Sequence, residues 1–252
     1  MYVSFRGFFG FVIKITKQIG EEVQIMETKE ILEKIGKHWD DYSENFDSEH
    51  DTENTEVWKT FLEKILGPDK SKSVLDLGTG TGFLANMTAQ IGYPSIGLDI
   101  SEKMMALGVE HAAARKVNTV FMKGSALELP FMDQTVDYIV NARLIWTLVE
   151  PEAAMAEWAR VLKPGGKAFC FNRMEENVGM TIFKKDYYQN EAVDNALKIA
   201  GAKNEELIAL MENNGYEDVK IIKLPETAKN DDVRNADWYQ PWFVLCGTKK
   251  KK

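Results

Sequence analysis

The sequence predicts an α/β domain built on a seven-stranded, doubly wound, mostly parallel sheet. Two observations carry this. From Ser73 to Asn172, apolar runs of strand length alternate with helical patterns, the rhythm of a parallel sheet covered on both faces. The first of those strands also runs directly into three glycines at alternate positions, then into a helix. Bulk composition agrees: of 252 residues 44% are hydrophobic, with six Trp and thirteen Phe, enough to build a core and too many for a disordered chain. The length fits one large domain, or one with a small appendage. A formal net charge of −8 argues against a protein that lives on phosphate backbones.

Residues 1–25 differ from the rest. Arg6 and the apolar patch from Phe8 to Ile13 resemble the start of a signal peptide, but Lys14 and Lys17 follow where a cleavage site would stand. The patch is too short to span a bilayer. We read 1–25 as an extension, disordered or derived from an upstream start. A membrane-touching amphipathic segment is the competing reading; no stable membrane insertion is expected. The working chain then begins at Met26, as a single domain over 26–252.

Ile31, Leu32, Ile35 and Trp39 predict a helix from about Thr28, and Thr55–Leu66 a second that stops at Gly67-Pro68. SVLDLG reads as strand one, followed by a helix from Phe83 to Ile91. SIGLDI is strand two, with a helix from Glu102 to Lys116. TVFMKG and VDYIVN are strands three and four. A helix from Pro151 to Leu162 starts on proline and stops before Lys163-Pro164-Gly165-Gly166. KAFCFN is strand five. The alternation then lapses: 173–203 reads as a small helical cap insertion, helical from Asp186 to Ile199. A helix from Asn204 to Asn213 and the strands DVKIIKL and PWFVLCGTKK complete the chain. The N-terminal helices, 28–66, read as a lid. Cys170 and Cys246 lie in strand-like runs without metal-ligand spacing, as reduced core thiols of a cytoplasmic protein; no metal site is expected.

The chemistry concentrates in Val74-Leu75-Asp76-Leu77-Gly78-Thr79-Gly80-Thr81-Gly82-Phe83. Glycine lets a ligand approach the main chain. The spacing is G-x-G-x-G, whereas a dinucleotide-binding loop would show G-x-G-x-x-G. Asp76, just before the loop, would repel a phosphate and suits an ammonium group. Asp99 ends strand two, where a carboxylate can accept hydrogen bonds from both hydroxyls of a ribose; capping of the following helix is the simpler role.

VLDLGTGTGFLA, GLDISEKMM, GSALELPF, DYIVNARLIWTL and EWARVLKPGG, in that order, resemble the class I (Rossmann-like) S-adenosylmethionine-dependent methyltransferases, small-molecule type. The resemblance implies a last strand inserted antiparallel, S-adenosylmethionine as cofactor and S-adenosylhomocysteine as product. It places Gly78, Thr79 and Gly80, with Gly82 closing the loop, against the methionine half of the cofactor. It also places Asp76 at the amino group and Asp99 at the ribose, with Ile100 and Met104 flanking the adenine. Where the family usually shows an Asp that reads the adenine amine, Ser125 stands, followed by Ala126. The resemblance places Asn141 beneath the sulfonium, with Ala142 and Arg143 next to the methyl group.

Methyl transfer from a sulfonium is an in-line displacement that needs alignment and exclusion of water more than a catalytic dyad. The chain lacks the Asn-Pro-Pro-aromatic run of base methylation, and the charge disfavours nucleic acid, so an N, O or S atom of a small-molecule acceptor is the leading target. Methylation of RNA or protein, and a non-catalytic S-adenosylmethionine-binding module, are the alternatives; loop spacing disfavours a dehydrogenase. On the lid, Tyr42 and Phe46 share a helical face that could close over the cofactor. His38 and His50 are candidate general bases. Arg143 could pair with an acceptor carboxylate and Trp146 could stack on a flat ring. Tyr187, Tyr188 and Trp238 are further candidates for the cap.

Overall fold

The computed structural model describes residues 5–50, 53–174, 187–229 and 241–251, with side chains of the first helix described at 20 and 22–47. Its strands are β1 (Val74–Leu77), β2 (Ser95–Asp99), β3 (Thr119–Lys123), β4 (Val136–Ala142), β5 (Leu162–Arg173), β6 (Tyr216–Lys223) and β7 (Trp242–Lys249). They form one sheet in the order β3-β2-β1-β4-β5-β7-β6. β1 to β5 pair in parallel, and β7 runs antiparallel between β5 and β6. The strand order reverses between β1 and β4, the switch point at which open α/β sheets form a crevice.

Among the described residues seven α-helices accompany the sheet: α1 (Phe5–His50), α2 (Thr55–Leu66), α3 (Phe83–Gln90), α4 (Glu102–Arg115), α5 (Pro151–Val161), α6 (Glu191–Ala196) and α7 (Asn204–Asn213). Their ends follow local chemistry. The Asn54 side chain accepts from the Val57 N–H to start α2, and Gly67, at φ 85°, ends it. Ser101 caps α4 through the Met104 N–H, and α5 opens on Pro151.

Strand residues alternate between two cores, as a sheet buried on both faces requires. Leu75, Ile139 and Cys170 face a core completed by Trp158 of α5 and Met211 of α7. Val74, Tyr138, Phe169 and Phe171 face another, filled by Trp58 and Phe61 of α2 with Leu84 and Met87 of α3. Cys170 and Cys246 are free thiols on neighbouring strands, and burial pushes the Cys170 thiol up to about 12.

Some boundaries differ from the sequence reading. The helix expected from Thr28 is the C-terminal half of α1, which runs unbroken across residues 25 and 26. β5 starts at Leu162 rather than at Lys167, and a register shift opposite Val136 and Tyr138 absorbs the Lys163–Gly166 turn. In place of a helix over 186–199, a turn leads into the short α6, capped by the Asn190 side chain. Trp238 lies outside the described residues.

Candidate functional site

Gly78, Gly80 and Gly82 hold φ of 60°, 53° and 80°, the left-handed region that other residues resist. A Cβ on Gly78 would stand 2.8 Å from Leu144 Cδ1, so the loop passes where only bare backbone fits. Two carboxylates set its shape. Asp76 Oδ2 accepts from Thr79 Oγ1 at 2.7 Å and from the Ala85 N–H at 3.0 Å, tying the loop to the first turn of α3. Asp99 accepts from the Gly80 N–H and the Ser101 N–H, both at 2.8 Å. Burial raises both carboxyls above their ordinary range, Asp76 to about 7.

A cavity opens at the carboxyl ends of β1, β2 and β4. Asp76, Gly78, Thr79 and Gly80 form its floor, and Asp99, Ile100 and Met104 its flank, beside Gly124, Ser125 and Ala126. The Ser125 hydroxyl accepts from the Leu127 N–H at 3.1 Å. Ala142, Arg143 and Trp146 line the opposite flank. Trp146 is both core and wall: it is 4% exposed and stands edge-on to Tyr187, itself on the cavity, at 4.9 Å.

α1 roofs the cavity with Leu32, Ile35, Trp39 and Phe46, a stripe at helical spacing. Two of its carboxylates fasten it. Asp40 accepts from Ser101 Oγ at 2.6 Å and from the Lys103 N–H at 3.1 Å, so it helps cap α4. Asp47 accepts from Thr81 Oγ1 at 2.8 Å and lies 3.1 Å from His111 Nε2, while His111 Nδ1 lies 3.0 Å from the Thr81 carbonyl. The sequence reading missed these anchors.

Four candidates stand off the cavity wall. Tyr42 packs edge-on against Trp39 and Phe46, at 6.0 and 6.2 Å, behind the roof. Asn141 is fully buried, with Nδ2 donating to Cys170 Sγ at 3.3 Å; it braces β4 against β5 instead of facing the cavity. Gly82 packs beneath the loop, where a Cβ would meet Asn86 and Phe121. His38 sits 4.7 Å from the Tyr188 ring in an aromatic cluster, and desolvation lowers its pKa. The His50 side chain is outside the described residues.

Arg143 follows β4 at φ 60°, unusual for a non-glycine residue, and its guanidinium stacks 4.7 Å from the Trp242 ring. Its Nη2 lies 3.4 Å from Glu53 Oε1, which also faces Arg173 Nη2 at 3.5 Å and Lys229 Nζ at 3.0 Å. Glu53 Oε2 accepts from the indoles of Trp58 and Trp242, at 3.1 and 2.9 Å. Burial, with Arg173 beside it, lowers Arg143 to about 10, still cationic at neutral pH. Burial likewise lowers Lys229 to about 8, opposed by Glu53.

The residues suit a sulfonium amino-acid nucleoside. Among the described residues the hydrogen bonds to Asp76 end on Oδ2, which leaves Oδ1 for an ammonium group, and the cradle at Gly78 is closed to any side chain. Fold and site together define the class of S-adenosylmethionine-dependent methyltransferases. Comparison with known proteins agrees: the methyltransferase domain family matches residues 75–170. The demethylmenaquinone methyltransferase of Shouchella clausii is 32% identical over 162 residues, covering 62% of this chain and 68% of the relative. That of Staphylococcus carnosus is 30% identical over 161 residues, covering 62% and 66%. The chain thus spans about two thirds of the length of these relatives. A solved Haemonchus contortus phosphoethanolamine N-methyltransferase, complexed with phosphomonomethylethanolamine and S-adenosylhomocysteine, superposes with TM-score 0.58 at 18% identity, over 77% of this chain and 53% of that one. The [4+2]-cyclase SpnF superposes with TM-score 0.59 at 19% identity, over 77% and 80%. This chain belongs to the class I S-adenosylmethionine-dependent methyltransferases.

Proposed function

We propose that the chain transfers a methyl group to an N, O or S atom of a small-molecule acceptor held between the ends of β4 and β5 and the roof formed by α1. The observation that carries this is one enclosed cavity whose floor is the glycine loop with Asp76 and Asp99, and whose far wall is aromatic: Trp39, Phe46, Trp146 and Tyr187. When bound, S-adenosylmethionine supplies an activated methyl group. The protein's part is placement. Asp76 receives the ammonium group, Asp99 the ribose hydroxyls, and the backbone of Gly78 to Gly80 the methionine half. Ile100 and Met104 flank the adenine, with Ser125 and Ala126 at its edge. α1 keeps water out, which strengthens every electrostatic contact inside and holds the acceptor in line. No group on the wall is needed to activate the leaving sulfide, so alignment carries the rate.

Calorimetric titration with S-adenosylmethionine, S-adenosylhomocysteine and NAD tests this. Micromolar binding of the first two and none of the third is expected. Asp99→Ala should weaken S-adenosylhomocysteine by about tenfold or more, since a hydrogen bond to a charged group is worth about 1.5–3 kcal/mol. Unchanged affinity would remove Asp99 from the ribose.

A further inference from the structure

Among the described residues, four acidic or basic side chains line the cavity: Asp76, Asp99, Arg143 and Arg173. Their placement follows strand order. The carboxylates stand on β1 and β2, and the guanidiniums at the ends of β4 and β5, across the reversal point of the sheet. The wall therefore changes sign between the cofactor side and the acceptor side, in a chain whose net charge is −8.

The two arginines are under-used by the protein. Glu53, their carboxylate partner, is committed elsewhere, to Lys229 at 3.0 Å and to two indole N–H groups near 3 Å. Arg143 and Arg173 reach its Oε1 only at 3.4 and 3.5 Å, each through a single nitrogen. A guanidinium carries five N–H donors in a planar fork matched to an oxyanion. Both side chains keep accessible surface on the cavity, 22% for Arg143 and 18% for Arg173, so donors that Glu53 leaves unused can face a ligand. The Trp242 ring, 4.7 Å from one guanidinium and 5.5 Å from the other, holds both planes in place. Arg143 is also kept in the left-handed backbone region, the kind of local strain that concentrates at ligand clamps.

We propose that Arg143 and Arg173 form an oxyanion clamp, and that the methyl acceptor is an organic carboxylate with a flat, apolar body. The carboxylate bridges the two guanidiniums, while Trp146, Tyr187 and Phe46 enclose the body. This rests on the methyl-transfer reading and names the acceptor class for it. Both arginines act as specificity-determining residues: they fix the acceptor by its charged end, and its nucleophilic atom is presented from the other end.

The test uses the full chain saturated with S-adenosylhomocysteine. Benzoate, salicylate, 2-naphthoate and 3-phenylpropionate are each titrated beside the corresponding amide, which keeps the shape and removes the charge. At least one carboxylate should bind about tenfold or more tighter than its amide, because a site built around a charged partner rejects the analogue that leaves it unpaired. Arg143→Gln and Arg173→Gln should each remove most of that preference while S-adenosylhomocysteine affinity stays within about twofold. Arg143→Lys, which keeps the charge and loses the fork, should retain part of it. A panel in which no carboxylate outbinds its amide overturns the clamp, and so does a preference that survives both glutamine variants. Failure of S-adenosylhomocysteine itself to bind would instead overturn the underlying reading.

Discussion

Asp76 shows how one buried side chain couples protonation to ligand binding. Desolvation lifts its carboxyl from 3.8 to about 7, although hydrogen bonds from Thr79 and Ala85 pull the other way. A carboxyl whose folded pKa lies above its unfolded one holds a proton in the folded state that the unfolded chain has released. Between about pH 4 and 7, its contribution to stability therefore falls as pH rises, by on the order of 4 kcal/mol in all. The cost of ionisation is recovered when a cationic ammonium group arrives, so affinity for S-adenosylhomocysteine should drop about tenfold per pH unit below about 7. Asp76→Asn should flatten that profile, raise the unfolding temperature of the cofactor-free protein near pH 8, and weaken the ligand by about tenfold or more. Calorimetry across this range decides it: a wild-type affinity independent of pH would show that the ammonium group does not meet Asp76. That Asp76, Asp99, Gly78 and Gly80 meet on one cavity was legible in the sequence because each lies a few residues from the strand end that positions it. Asn141 was misplaced because a strand's last residues point alternately to opposite faces, and one step of register turned its amide onto Cys170.

At the scale of an element, α1 behaves as a roof pinned at two points. Asp40 and Asp47 lie two turns apart; one holds the start of α4 next to Asp99, and the other holds the glycine loop at Thr81. The roof helix itself was legible, since Leu32, Ile35, Trp39 and Phe46 repeat at helical spacing. Its anchors were not. Their partners are 61, 63 and 34 residues away, and a surface aspartate on a charged helix carries no mark of where it will land. The pins should govern how well the cavity stays shut. The Asp47 side chain is 41% exposed, which discounts its bonds to about 1 kcal/mol. Asp47→Ala should accordingly weaken S-adenosylhomocysteine by about fivefold and speed amide hydrogen exchange across residues 32–46, with little change in the sheet. Protection of α1 that is the same with and without Asp47 would mean that apolar packing alone closes the roof.

Across the whole molecule, Glu53 joins parts of the chain that no local pattern relates. It precedes α2, pairs in an isolated bridge with Lys229, and gathers Arg143 from the end of β4, Arg173 from the end of β5, and Trp242 from the start of β7. The carboxylate is 3% exposed and lies where the acceptor side of the cavity meets the core around Trp58. One anion thus faces three cations that would otherwise repel one another, closest to the buried Lys229 and more distantly to both arms of the proposed clamp. Removing one partner of a buried ionic group costs about 3–5 kcal/mol, because the charges left behind stay buried. Glu53→Gln should therefore lower the unfolding free energy by that amount, read as a lower urea midpoint at an unchanged slope, the signature of lost stability without a change in the surface exposed on unfolding. Adding 2-naphthoate should restore part of the loss in Glu53→Gln and more of it than the matched amide does, since the carboxylate supplies the charge that the substitution removed. A loss below about 1 kcal/mol would show that the cations are satisfied without Glu53. Equal rescue by acid and amide would show that the arginines do not reach the ligand.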